Sequence, residues 1–60
     1  MPHNIERSAF RKGEYVGWDA EGGLWNIKRH PGGYWYATER AGHGTLTGDT
    51  LRALSTKLAA

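Results

Sequence analysis

Apolar residues are sparse over the first 13 positions, where Ile5, Ala9 and Phe10 are the apolar anchors. That stretch reads as a polar N-terminal arm whose end can add to a strand. From residue 14 the spacing changes. Residues 14–18, 24–30 and 34–39 are short runs rich in Trp, Tyr, Val and Ile, bounded by glycine-rich breaks. Such runs predict strands joined by hairpins, because β-branched and aromatic side chains suit a pleated, half-buried surface. Ala41-Gly42-His43-Gly44 then reads as a flexible connection. Beyond it the apolar period moves from two to about 3.6. Leu51, Leu54 and Leu58, with Ala53 beside them, predict one helical stripe. Thr47 is the expected N-cap, with Leu46 and Leu51 placed as a hydrophobic staple. A start at Asp49 is the alternative, because Gly48 disfavours the first helical turn. Asp49 near the start and Lys57 in the last turn both suit the helix dipole.

The break at Pro31-Gly32-Gly33 also predicts a register. Proline presets φ for the first turn position, and a following glycine takes the positive φ of a bulge at no steric cost. A three-residue loop sets His30 opposite Tyr34, Lys28 opposite Tyr36 and Asn26 opposite Thr38. One hairpin face then carries Leu24, Asn26, Lys28, His30, Tyr34, Tyr36 and Thr38. The other carries Trp25, Ile27, Arg29, Trp35, Ala37 and Glu39. A two-residue loop would mix these faces. The three-residue loop is preferred because it gathers Trp25, Ile27, Trp35 and Ala37 into one apolar surface.

The expected fold is α+β, a three-stranded antiparallel sheet packed on one C-terminal helix. Residues 1–13 are the arm and residues 14–60 a single β-β-β-α domain. The leucine stripe packs on Trp25, Ile27 and Trp35, with Val16 or Trp18 completing the core, and the other sheet face stays open. Length sharpens this. At 60 residues without cysteine, a chain buries only roughly 60% of its unfolded surface and has no disulfide to compensate. Aromatic packing, self-association or a bound partner has to supply the remainder.

Charge changes the picture little. Eight Lys and Arg against six Asp and Glu leave a net +2 and a pI near 9.3. The charges are interspersed, with no like-charge run of the kind found in nucleic-acid tails. No apolar stretch is long enough to span a membrane, and Met1 to Phe10 lacks the apolar core of a secretory signal. A soluble cytoplasmic protein is expected.

Catalytic chemistry finds little to work with. His3, His30 and His43 lie in three separate segments, and nothing brackets them as metal ligands. Each reads as a solvated histidine. The glycine pairs are ordinary loops with no phosphate-binding spacing. No catalytic, metal or cofactor-binding residue is assigned, and the expectation is a non-enzymatic protein without a cofactor.

Aromatic content is more informative: three Trp, three Tyr and one Phe. Trp25 and Trp35 read as core. Tyr34 and Tyr36 point away from the helix beside Lys28, His30 and Asn26, which resembles an interaction patch. Arg11, Lys12 and Arg40 are its expected electrostatic support. Three partner classes fit. A protein or nucleoprotein partner is favoured, since interspersed charges suit it better than a phosphate-tracking groove does. Nucleic acid is the alternative, with tyrosines on bases and cations on phosphates. A homodimer through Leu24, Tyr34 and Tyr36 is the third.

In size and β-β-β-α order the chain resembles small accessory proteins of phages and mobile elements, such as anti-CRISPR and anti-restriction proteins. That resemblance implies inhibition of host defence by occupying a protein surface. The same order is similar to AP2-type and integrase arm-binding domains, which use the sheet face opposite their helix. Their contact residues would correspond here to Arg11, Trp25, Arg29 and Arg40.

Overall fold

A computed structural model describes residues 2–42 and 44–60. Five strands run in simple antiparallel succession: β1 (Ile5–Arg7), β2 (Tyr15–Trp18), β3 (Leu24–Arg29), β4 (Trp35–Glu39) and β5 (Thr45–Gly48). One helix, α1 (Leu51–Ala59), follows. The α+β class and the C-terminal helix agree with the sequence pattern. The three-stranded sheet does not, because each outer edge carries one more strand than expected.

The added strands have distinct causes. Residues 1–13 are no free arm: Ile5 is 1% exposed in the core, and Ile5, Glu6 and Arg7 pair with Gly17, Val16 and Tyr15. One buried isoleucine suffices to dock a strand this short, too brief to display a period. Asn4 adds a polar lock. Its Nδ2 donates to the carbonyls of Trp18 and Ser55 at 3.3 and 3.1 Å, and Ser55 Oγ donates to its Oδ1. At the other edge, the expected flexible connection is a hairpin loop. Gly42 takes φ +86°, its N–H bonds Glu39 O at 2.9 Å, and Glu39 N bonds Gly44 O at 3.1 Å.

Thr47 is therefore a strand residue opposite Tyr36, and the staple with Leu46 does not form as expected. Thr50 is the N-cap, its Oγ1 accepting from Ala53 N at 3.0 Å. The helix thus begins later than either expected start. Lys57 does stand in the last turn, where its Nζ donates to the Thr47 carbonyl and ties α1 to β5.

The central hairpin has the expected register: Lys28 pairs with Tyr36, Asn26 with Thr38 and Ile27 with Ala37. His30 N donates to Tyr34 O at 2.7 Å, and Gly33 supplies the bulge at φ +97°. The apolar face is consequently the one expected. Ile5, Trp25, Ile27 and Ala37 pack with Leu54 and Leu58, flanked by half-buried Tyr15, Trp35, Leu46 and Leu51. On β2 the expectation fails. Tyr15 and Gly17 align with Ile27 and Trp25, so Val16 and Trp18 fall on the opposite face. Gly17 explains this choice: a Cβ there would stand 2.9 Å from both Ile27 Cδ1 and Leu58 Cδ1. Any larger residue would have to displace both of those side-chain tips.

Candidate functional site

The sheet face away from α1 carries the residues that alternation sends outward. One row crosses all five strands: Glu6, Val16, Asn26, Thr38 and Thr45. Beside it runs Lys28, Tyr36 and Thr47, and on the other flank Trp18 faces Leu24. The face is a polar ladder with aromatic ends.

The β1–β2 loop builds a rim over it. Ser8 N donates to Glu14 O at 2.9 Å and Glu14 N to Arg11 O at 3.2 Å. Ser8 Oγ accepts from the N–H groups of Phe10 and Arg11 at 3.2 and 3.1 Å. This local hydroxyl-to-backbone bonding, with Gly13 at φ +81°, turns the chain without help from the core. Phe10 is left 95% exposed. Rim and face together form a trough of about 310 Å³ lined by Phe10, Arg11, Val16, Asn26, Lys28, Thr38 and Arg40, among others.

Three cations converge there from three places in the chain. Arg11 comes from the rim, Lys28 from β3, and Arg40 from just past β4. Arg40 is oriented by its Nε, which donates to Asn26 Oδ1 at 3.2 Å, and by its N–H, bonded to Leu24 O at 3.0 Å. Glu14 is the one carboxylate among the lining residues. With Glu6 beside Val16 at the β1 edge of the same face, three positive groups meet two carboxylates, and the positive excess is gathered in one trough.

The expected patch is thus divided. Asn26, Lys28, Arg11 and Arg40 meet in the trough. Lys12 is exposed on the rim and lines a hollow under the loop instead. His30 and Tyr34 stack on each other, centroids 4.5 Å apart and 9° from parallel, and His30 meets Tyr36 edge-on at 5.9 Å. His30 Nδ1 accepts from Gly32 N at 2.9 Å, so this ring caps the turn. Tyr34 lines a separate hollow with Thr47, Asp49, Ala53 and Lys57. Of the expected dimer patch, Leu24 lies at one end of the sheet and Tyr34 and Tyr36 toward the other.

The contact residues implied by the AP2-type likeness also separate. Trp25 is buried at 8% exposure, its Nε1 donating to Asp19 Oδ2 at 2.9 Å. Arg29 lies on the helix side with its guanidinium 5.8 Å from the Trp35 ring. Phe10 is the residue the pattern reading undervalued. Its signal was an aromatic next to Arg11 and Lys12, outside any strand-like run.

Asp19 has a structural task. Its carboxylate accepts from Trp25 Nε1, from Gly23 N at 2.8 Å and from Glu21 N at 2.9 Å. The Trp25 bond foremost, then the Gly23 amide, holds its pKa below the usual 3.8. Among the described residues, no group of three His, Asp or Glu side chains is placed to hold a metal ion, and no helix is long and apolar enough to cross a membrane. His43 lies outside the described residues. Comparison with protein-family models, curated proteins and solved structures found no match to this chain.

Proposed function

We propose that this chain is a non-catalytic binding domain that takes nucleic acid on the open face of its sheet. The observation supporting it is the convergence of Arg11, Lys28 and Arg40 on one trough. Spread along the chain, these cations look diluted by neighbouring carboxylates, which is why a protein partner had the better claim from sequence. Folding sets them side by side. A concave surface of one dominant sign focuses its potential and draws a polyanion toward it. Asn26 and Thr38 between the cations offer hydrogen bonds to sugar or base. The inhibitor reading retains chain size alone as its support.

Charge reversal tests the proposal. Binding of mixed-sequence DNA and RNA at low salt is measured for the wild type, for R11E/K28E/R40E, and for R52E on the exposed side of α1. The wild type and R52E should bind alike, and the triple variant should lose binding by tenfold or more, roughly 1.4 kcal/mol. A loss in R52E of about one third of the triple variant's, in log affinity, would reduce the effect to net charge, since R52E changes the charge by a third as much. Absence of binding by the wild type would end the proposal.

A further inference from the structure

We infer that the occupant of this trough is a single strand of nucleic acid, with its phosphates on Arg11, Lys28 and Arg40 and a base stacked on Phe10. The inference rests on the nucleic-acid reading above and adds which form of nucleic acid fits.

Width is the first argument. Five strands at about 4.8 Å spacing make a sheet about 19 Å across before its side chains are counted. The major groove of B-form DNA is about 12 Å wide and admits an α-helix or a two-stranded ribbon. A narrower sheet could enter it with its central strands. Here β1 and β5 flank those strands on both sides, and the rim of the β1–β2 loop stands beside the face. The overall extents of 28 × 24 × 23 Å exceed the groove's width in every direction. A duplex would rest on the rims, away from Lys28.

The second argument is Phe10. A phenylalanine 95% exposed is displayed to water at a cost, and it contributes nothing to the core. The Ser8 hydroxyl holds the backbone on both sides of it, so the ring is presented from an ordered turn. An exposed aromatic beside cations is what unstacked bases use as a platform, whatever their sequence. Bases inside a duplex are already stacked and offer it no face. Tyr36 stands directly across from Lys28 on the same face, with its ring met edge-on by His30. Asn26 and Thr38, which line the trough beside the cations, supply polar groups at floor level.

The experiment is fluorescence anisotropy with three labelled probes of one mixed sequence, each about 12 nucleotides long: single-stranded DNA, single-stranded RNA and blunt duplex DNA. The expected result is that one or both single strands bind at least about tenfold more tightly than the duplex at low salt. Whichever sugar is preferred names the strand and supports the inference. F10A should weaken single-strand binding roughly fivefold or more while leaving the thermal melt unchanged. Duplex binding as tight as single-strand binding would overturn the inference while leaving the nucleic-acid reading intact. Wild-type affinity in F10A would overturn the stacking assignment. Failure of all three probes would remove the underlying reading as well.

Discussion

The two faces of the sheet are built by the same alternation and serve opposite ends. Toward α1 the positions are Ile5, Trp25, Ile27 and Ala37, buried against Leu54 and Leu58. Away from it they are Asn26, Lys28, Tyr36 and Thr38, half-exposed and polar. A residue on the first face is constrained by volume and by its neighbours' shape. A residue on the second is constrained only by propensity, and so is free to be selected for what it binds. The difference teaches where to look: stability should reside almost wholly on one face and recognition on the other.

The sharpest way to break that division is on the covered face. Ile27→Ala removes a side chain with 0% exposure and should cost about 2–5 kcal/mol in urea unfolding. For a domain of this size, whose total stability is about 3–9 kcal/mol, that is most of what it has. A loss under about 1 kcal/mol would mean that Ile27 is not central to the core.

Asn4→Ala comes next, since it strips partners from the Trp18 and Ser55 carbonyls and from the Ser55 hydroxyl. Leaving such groups unpaired costs about 1–3 kcal/mol. An unchanged urea midpoint would show that water replaces the amide and that β1 is not locked in place.

Asp19 gives a smaller effect with a defined pH signature. Its pKa is lowered on folding, above all by the Trp25 bond, so it contributes stability above its unfolded value of 3.8. That contribution is lost as pH falls through the lower, folded value. Asp19→Asn should therefore be less stable than the wild type at neutral pH, with the gap closing in acid below 3.8. A gap independent of pH would assign the loss to geometry alone.

On the open face the effect on folding should be smallest. Lys28→Ala should shift stability by no more than about 0.5 kcal/mol, as is usual for surface substitutions without buried partners. A large destabilisation there would erase the distinction between the faces.

How much of this was legible before the structure depends on what sets each feature. The β3–β4 register was legible because Pro31-Gly32-Gly33 fixes the loop chemically and Gly33 takes the positive φ. The helix was legible from Leu51, Leu54 and Leu58, although its start was not. Thr47, Asp49 and Thr50 are all reasonable caps, and pairing of Thr47 with Tyr36 decides among them. β1 was missed because its three residues show no period and are held by tertiary partners, and β5 because Thr45 to Gly48 adjoins the helix and Thr47 reads as its cap. The inward turn of Gly17 was hidden for a related reason. Val16 and Trp18 are the more hydrophobic pair, yet the inward position is tight, and a Cβ at Gly17 would press on the tips of Ile27 and Leu58. Asn26, Lys28, Arg11 and Arg40 were legible as candidates, but their meeting in one trough was not. That needed the β1–β2 loop folded over the face.

The salt dependence of binding tests the central claim most directly. With three phosphates neutralised on a single strand, the plot of log affinity against log salt should have a slope of about −2. Lys28→Ala should make that slope shallower by about 0.7 while the protein melts as before. Binding that is insensitive to salt, or a slope unmoved by Lys28→Ala, would contradict the assignment of the open face to a phosphate backbone.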